Sequence, residues 1–212
     1  MHKINIQRHA GFYPFNPNLG QVMQTGVPGT SCDFGFIAHL AWTALQAVVA
    51  DVDGLKAATA VSSDSATTLV PTTQPLCPKS ITLTAAGTAG SIKAVQGKVY
   101  GTSYLGLEIT EDLPAFTVDT AGTVEGSKAF ASVSKVEIPA MDGAGVTIAI
   151  GFGEKLGLPF KLSHNTLLKT YLNHVLEANA STVATSATAI ESNTIDLDSA
   201  LDGSVVDAYF IV

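Results

Sequence analysis

Charged side chains are scarce in this sequence. Asp, Glu, Lys and Arg make up 14% of its 212 residues, against about 25% in an average soluble domain. Ser, Thr, Ala and Gly fill the gap, so the surface is polar but largely uncharged. Such a surface suits a protein covered by neighbours, or a particle-bound β protein, better than a freely diffusing enzyme. Basic residues are the scarcer sign, 11 against 18 acidic ones, for a net charge of −7. That leaves no positive footprint for holding phosphates, and nucleic acid is excluded as an expected partner. Long apolar runs are missing too. The longest, residues 34–52, is interrupted by Gly35, His39, Trp42, Thr43, Gln46 and Asp51, short of the roughly 20 apolar residues of a membrane-spanning helix. No membrane partner is expected. The N-terminus carries Lys3 and Arg8 but no apolar block behind them, so a secretory signal is not read and synthesis in a host cytoplasm is expected. The two cysteines, Cys32 and Cys77, have no CxxC or Cys/His spacing. Isolated thiols are the default, with a disulfide as the lesser alternative.

What is present falls into three zones. Residues 1–33 hold the aromatic cluster Phe12, Tyr13 and Phe15 among Pro14, Pro17, Pro28 and four glycines. Gly and Pro at this density break regular elements, yet disorder goes with few aromatics. The segment therefore reads as an extended arm whose cluster packs on its own domain or reaches a neighbouring subunit. In residues 34–58, apolar side chains recur at three- and four-residue steps (Phe36, Ile37, Leu40, Ala41, Ala44, Leu45, Val48, Val49, Val52, Leu55), which predicts an amphipathic helix. Trp42, beside this stripe, is a candidate subunit contact or a core residue.

From residue 59 to 212 the pattern is β: alternating runs at 80–84, 92–100 and 105–111, then 115–118, 129–138, 145–151 and a last strand over 204–212. Strands at roughly ten-residue intervals predict an antiparallel β-sandwich or barrel. Residues 163–177 read as a short helix or as a strand broken at Asn173. The fold class is thus mainly β, with an N-terminal arm and one N-terminal helix.

Chemistry is thin in the pattern. Gly151-Phe152-Gly153-Glu154-Lys155-Leu156-Gly157 matches no phosphate-loop spacing and reads as a strand ending in a turn, with Glu154 and Lys155 on its tip. The 196–203 segment, rich in Asp, misses the positions of a calcium loop and reads as β- and Asx-turns. Glu111 and Asp112, at a strand end, read as a turn. The five histidines form no HExxH or i,i+4 pair, and Ser163-His164-Asn165 lacks a nucleophile elbow. No catalytic residue, metal ligand or cofactor is expected, and enzyme is the least favoured class. Tyr100, Tyr104 and Phe152 are the aromatics that would serve a carbohydrate-binding module.

One block of motifs carries a resemblance. Ala85-Ala86-Gly87-Thr88-Ala89-Gly90-Ser91-Ile92-Lys93-Ala94, Val99-Tyr100-Gly101-Thr102, Glu108-Ile109-Thr110-Glu111-Asp112-Leu113-Pro114-Ala115-Phe116 and Gly122-Thr123-Val124-Glu125-Gly126-Ser127-Lys128-Ala129-Phe130 follow one another. Val136-Glu137-Ile138-Pro139-Ala140, residues 151–159 and residues 192–212 continue the series. In this order they resemble the β-domain of small structural proteins encoded among the head genes of tailed bacteriophages, over roughly residues 48–212. The resemblance implies a virion component, a capsid decoration (cement) protein on the capsid surface. Its implied partners are the major capsid protein and copies of itself, as a homotrimer, and it implies no catalytic residues. Phe12, Tyr13, Phe15 and Trp42 are the expected contacts to capsid or sister subunits. Another virion part (tail, connector or head fibre) and a carbohydrate- or host-surface-binding module are the alternatives.

Overall fold

The computed structural model describes residues 36–212 throughout and, before them, the backbone of two short paired strands, β1 (Met23–Gln24) and β2 (Ser31–Cys32). Phe12, Tyr13 and Phe15 lie outside the described residues. The chain then runs through β3 (Ile37–Trp42), β4 (Asp51–Ala60), β5 (Thr67–Leu69), β6 (Lys79–Ala86), β7 (Lys98–Thr102), β8 (Glu108–Asp112) and β9 (Gly122–Glu125). It continues with β10 (Ser132–Ile138), β11 (Thr147–Gly157), β12 (Leu167–Leu172), β13 (Val175–Leu176), β14 (Thr182–Ala184), β15 (Thr194–Asp196) and β16 (Val206–Ile211). All strand pairs are antiparallel, and the protein is mainly β, a sandwich-like fold.

A four-stranded sheet, β5-β10-β7-β8, faces a larger one ordered β14-β15-β11-β6-β9. The centre of the larger sheet is β11, which pairs with β6 along one edge and with β4 and then β15 along the other. Alternation supplies the packing between the sheets. Val99, Val133, Val136 and Ile138 meet Ile81, Leu83, Ile148 and Ile150, all buried. A second core lies under a third sheet, β13-β12-β16-β3, where Trp42, Leu156, Leu158, Ile195, Val206 and Phe210 pack together. β11 joins the two cores, its first half feeding one and Leu156 the other.

The helix expected over 34–58 does not form in its described part. The same residues make β3, one helical turn and most of β4. Apolar residues three and four apart also fit a strand-turn-strand path. Six registered residues of β16 draw β3 into a sheet, which places Ala38, Leu40 and Trp42 inward and Ile37, His39 and Ala41 outward. The remnant of helix is the turn at 43–47, where the Gln46 and Ala47 N–H groups donate to the Thr43 carbonyl at 2.9 Å. Residues 163–177 take the strand reading. β12 and β13 form a hairpin whose turn is Asn173-His174, with φ 50° and 63°. Both turn residues are left-handed, as a two-residue hairpin of the right twist requires. Two expected strands are displaced. Only the end of 92–100 is strand, and 115–118 is not, although Ile92 and Phe116 are buried in the first core.

Candidate functional site

The sequence-predicted sites are spread out by the fold. Trp42, at the end of β3, is buried at 7% exposure in the second core and belongs to the interior of its own chain, not to an exposed contact surface. Glu111 and Asp112 lie inside β8, not in a turn, and so point to opposite faces. The Glu111 carboxylate is buried and accepts hydrogen bonds from the Ser127 N–H at 2.7 Å, the Ser127 hydroxyl at 2.8 Å and the Lys128 N–H at 3.2 Å. It clamps the 126–128 loop. Asp112 is exposed beside Lys98.

The glycine-rich stretch 151–157 is likewise not a turn but the second half of β11. Its glycines permit close approach. A Cβ on Gly151 would collide with the Asp51 backbone of β4, and one on Gly153 with the Glu125 carboxylate and the Ser80 hydroxyl. Lys155 donates to the Gly126 carbonyl at 3.1 Å rather than standing free on a tip. In the 196–203 segment the Asp202 carboxylate accepts the Ser204 N–H at 2.8 Å, an Asx-turn as expected. Among the described residues no group of three or more His, Cys, Asp or Glu is placed to hold a metal ion. Tyr100 donates to Glu137 at 2.8 Å beneath Lys135, Tyr104 sits on the β7–β8 loop, and Phe152 packs on the first core. These three aromatics form no common platform.

Three surface features were not foreseen from sequence. The first is a groove of about 190 Å³ where the two cores meet. Val48, Pro75 and Phe152 line it, Leu45 and Leu76 stand on its rim at 70% and 67% exposure, and Lys79 lies in it at 2% exposure. The Lys79 ammonium donates to the Val48 carbonyl at 2.9 Å and sits 4.8 Å from the centroid of the Phe152 ring. Burial holds its pKa below the usual lysine range, opposed by the Cys77 thiol and by Glu154. Among the described residues no carboxylate reaches ion-pair distance of it. Cys77 beside it is a buried free thiol, pushed up to about 11 by the same desolvation, and so is poorly nucleophilic at neutral pH.

The second feature is the loop between β7 and β8. The Ser103 N–H donates to the Leu107 carbonyl at 2.8 Å and the Gly106 N–H to the Ser103 carbonyl at 2.9 Å, with Gly106 at φ 74°. This closed turn holds Tyr104, Leu105 and Leu107 out in solvent. The third is the outer face of the β13-β12-β16-β3 sheet. His39 stacks on Tyr209 at 4.6 Å between centroids, Tyr171 meets Tyr209 edge-on at 6.0 Å, and His39 Nε2 lies 2.7 Å from Asp207 Oδ1. His174 approaches the other Asp207 oxygen at 3.8 Å.

Comparison with family models, with curated proteins and with solved structures returns no match for this chain.

Proposed function

We propose that this chain is a structural protein of a tailed-phage virion, bound to the outside of the capsid as a decoration protein that bridges capsid subunits and stabilises the shell. One observation carries the reading: large apolar side chains, Leu45, Leu76, Leu105 and Leu107 among them, are exposed on a weakly charged β-sandwich. Apolar surface of this kind marks a site of contact with another protein. The motif order that resembles phage head proteins runs from β6 through β11 and continues over residues 192–212, and adds support from sequence. The major capsid protein and sister copies are the proposed partners, with trimers at local threefold points as the arrangement. The reaction-free role asks nothing of Glu111, Glu154 or the histidines.

The test is attachment of purified protein to shells that lack it, read by co-sedimentation. Full-length protein is expected to pellet with shells. A variant deleted for residues 2–30 should stay folded and remain in the supernatant, and Phe12→Ala, Tyr13→Ala and Phe15→Ala together should weaken attachment more than charge reversal at Glu154 and Lys155. Attachment unchanged in both variants would remove the arm from the reading, and no attachment of the full chain would remove the reading itself.

A carbohydrate- or host-surface-binding module is the second reading, and the His39-Tyr209-Tyr171 face beside Asp207 favours it, since stacked rings next to a carboxylate suit a sugar. A titration with monosaccharides that perturbs Tyr209 and His39 and is lost in Tyr209→Ala would support it over the first.

A further inference from the structure

Hydrogen bonds and strand pairing link the groove to the β7–β8 loop. Gln74, which lines the groove, donates to the Val133 carbonyl at 2.9 Å and accepts the Val133 N–H at 2.8 Å. Val133 pairs with Gly101 one strand over, at the end of β7 from which the loop emerges. The loop's backbone needs only the glycine at 106, whose positive φ suits that residue. Tyr104, Leu105 and Leu107 are 50%, 56% and 62% exposed, and none of them belongs to either core among the described residues. A turn that spends three large apolar residues on solvent is built to meet something. Glu108, also exposed, follows directly. The groove offers the opposite set: apolar walls and a buried ammonium without a carboxylate partner among the described residues. Its volume is below the roughly 300 Å³ at which small-molecule sites begin, and it suits one or two side chains.

We propose that copies of this chain associate by seating the 104–107 loop of one copy in the Leu45/Leu76/Phe152 groove of another, with Glu108 supplying the ion-pair partner that Lys79 lacks among the described residues. The occupant is a second copy because loop and groove match in both polarity and charge. Partnering an ammonium that burial disfavours gains more than a pair on open surface, because the desolvation is already incurred in the monomer. Two different patches meeting head to tail close into a ring if the rotation permits. The inference deepens the self-association in the proposed function and is independent of the shell.

Sedimentation equilibrium over a wide concentration range tests it. Wild type is expected to associate. Leu105→Asp with Leu107→Asp, on an exposed loop, should fold normally and weaken association about 30-fold or more, as for interface anchor residues. Leu76→Asp, on the groove rim, should do the same. A mixture of the loop variant with the groove variant retains one intact loop and one intact groove, and should recover a 1:1 heterodimer that neither forms alone. A wild type monomeric at every concentration would overturn both this contact and the self-association on which it rests. Association of wild type and the loop variant with equal strength would overturn the contact while leaving self-association standing, as would a mixture that fails to recover the heterodimer.

Discussion

The two cores of this protein are built from different distances along the chain. The first is filled by strands that follow one another through 55–150, with Ile81, Leu83, Val99, Val136, Ile148 and Ile150 meeting across neighbouring or near-neighbouring strands. The second needs β3, β15 and β16 at once, so that Trp42 meets Val206 and Phe210 over more than 160 residues. Local alternation announces the first core. The second exists only once the chain has closed, and its register is set by β16, where Val206, Ala208 and Phe210 face inward and Asp207, Tyr209 and Ile211 outward.

If the second core is a late addition to a self-sufficient sandwich, it should be separable. Phe210→Ala removes a fully buried ring and is expected to cost about 3–5 kcal/mol. Hydrogen exchange should speed up in β3, β12 and β16 while β6 and β11 keep their protection. Uniform loss of protection would mean that the two cores melt as one unit and would break the comparison. On the sandwich side, Glu111→Ala leaves the Ser127 and Lys128 N–H groups without their acceptor, and a loss of about 2 kcal/mol is expected in urea unfolding. A change confined to a few tenths would show that water takes over the clamp.

Lys79 sits at the seam and sharpens the contrast. Its folded-state pKa is lowered by burial, so between that value and the ordinary lysine pKa the unfolded chain binds more protons, and stability rises with pH. Lys79→Met should therefore be about 1 kcal/mol more stable than wild type at pH 7, with an advantage that shrinks as pH climbs toward 10.5. Both proteins carry Cys77, which acts in the opposite sense between pH 9.0 and about 11 and which the Lys79 ammonium holds down, so the lysine's own share is read below pH 9.0. A variant less stable at every pH would mean that the bond to Val48 outweighs the cost of burial. The smallest effect is at the β12–β13 turn. His174 is held at φ 63°, and His174→Gly is expected to raise stability by about 1 kcal/mol less whatever its 3.8 Å approach to Asp207 contributes, measured by thermal unfolding.

How much could be read in advance follows the same division. The alternating runs at 129–138 and 204–212 lie in strands buried on one face, where a period of two follows, and the run at 80–84 lies in a strand buried on both faces, Ser80 and Thr82 included. Residues 36–58 were legible as apolar but not as strand, since their spacing satisfies both periods and the deciding partner, β16, lies at the other end of the sequence. Ile92 and Phe116 were legible as apolar, and they do enter the core, but from loops whose backbone bonds run elsewhere, as in the Phe116 N–H to the Val95 carbonyl at 3.1 Å. The groove had no local signature. It gathers residues 45–48, 54, 73–79 and 152 from four separate segments. The loop at 104–107 did have one, because Tyr104, Leu105 and Leu107 flank a glycine, but an apolar stretch with a period of two reads as the start of a strand until the turn is seen.

The central claim is that this chain is a shell-wide structural component, and its most direct test is the copy number of the chain relative to the major capsid protein in purified particles, by quantitative mass spectrometry. The account predicts a ratio near one or a simple fraction of it set by icosahedral symmetry. A handful of copies per particle would assign the chain to a tail, connector or portal vertex, and absence from the particle would contradict the virion role altogether.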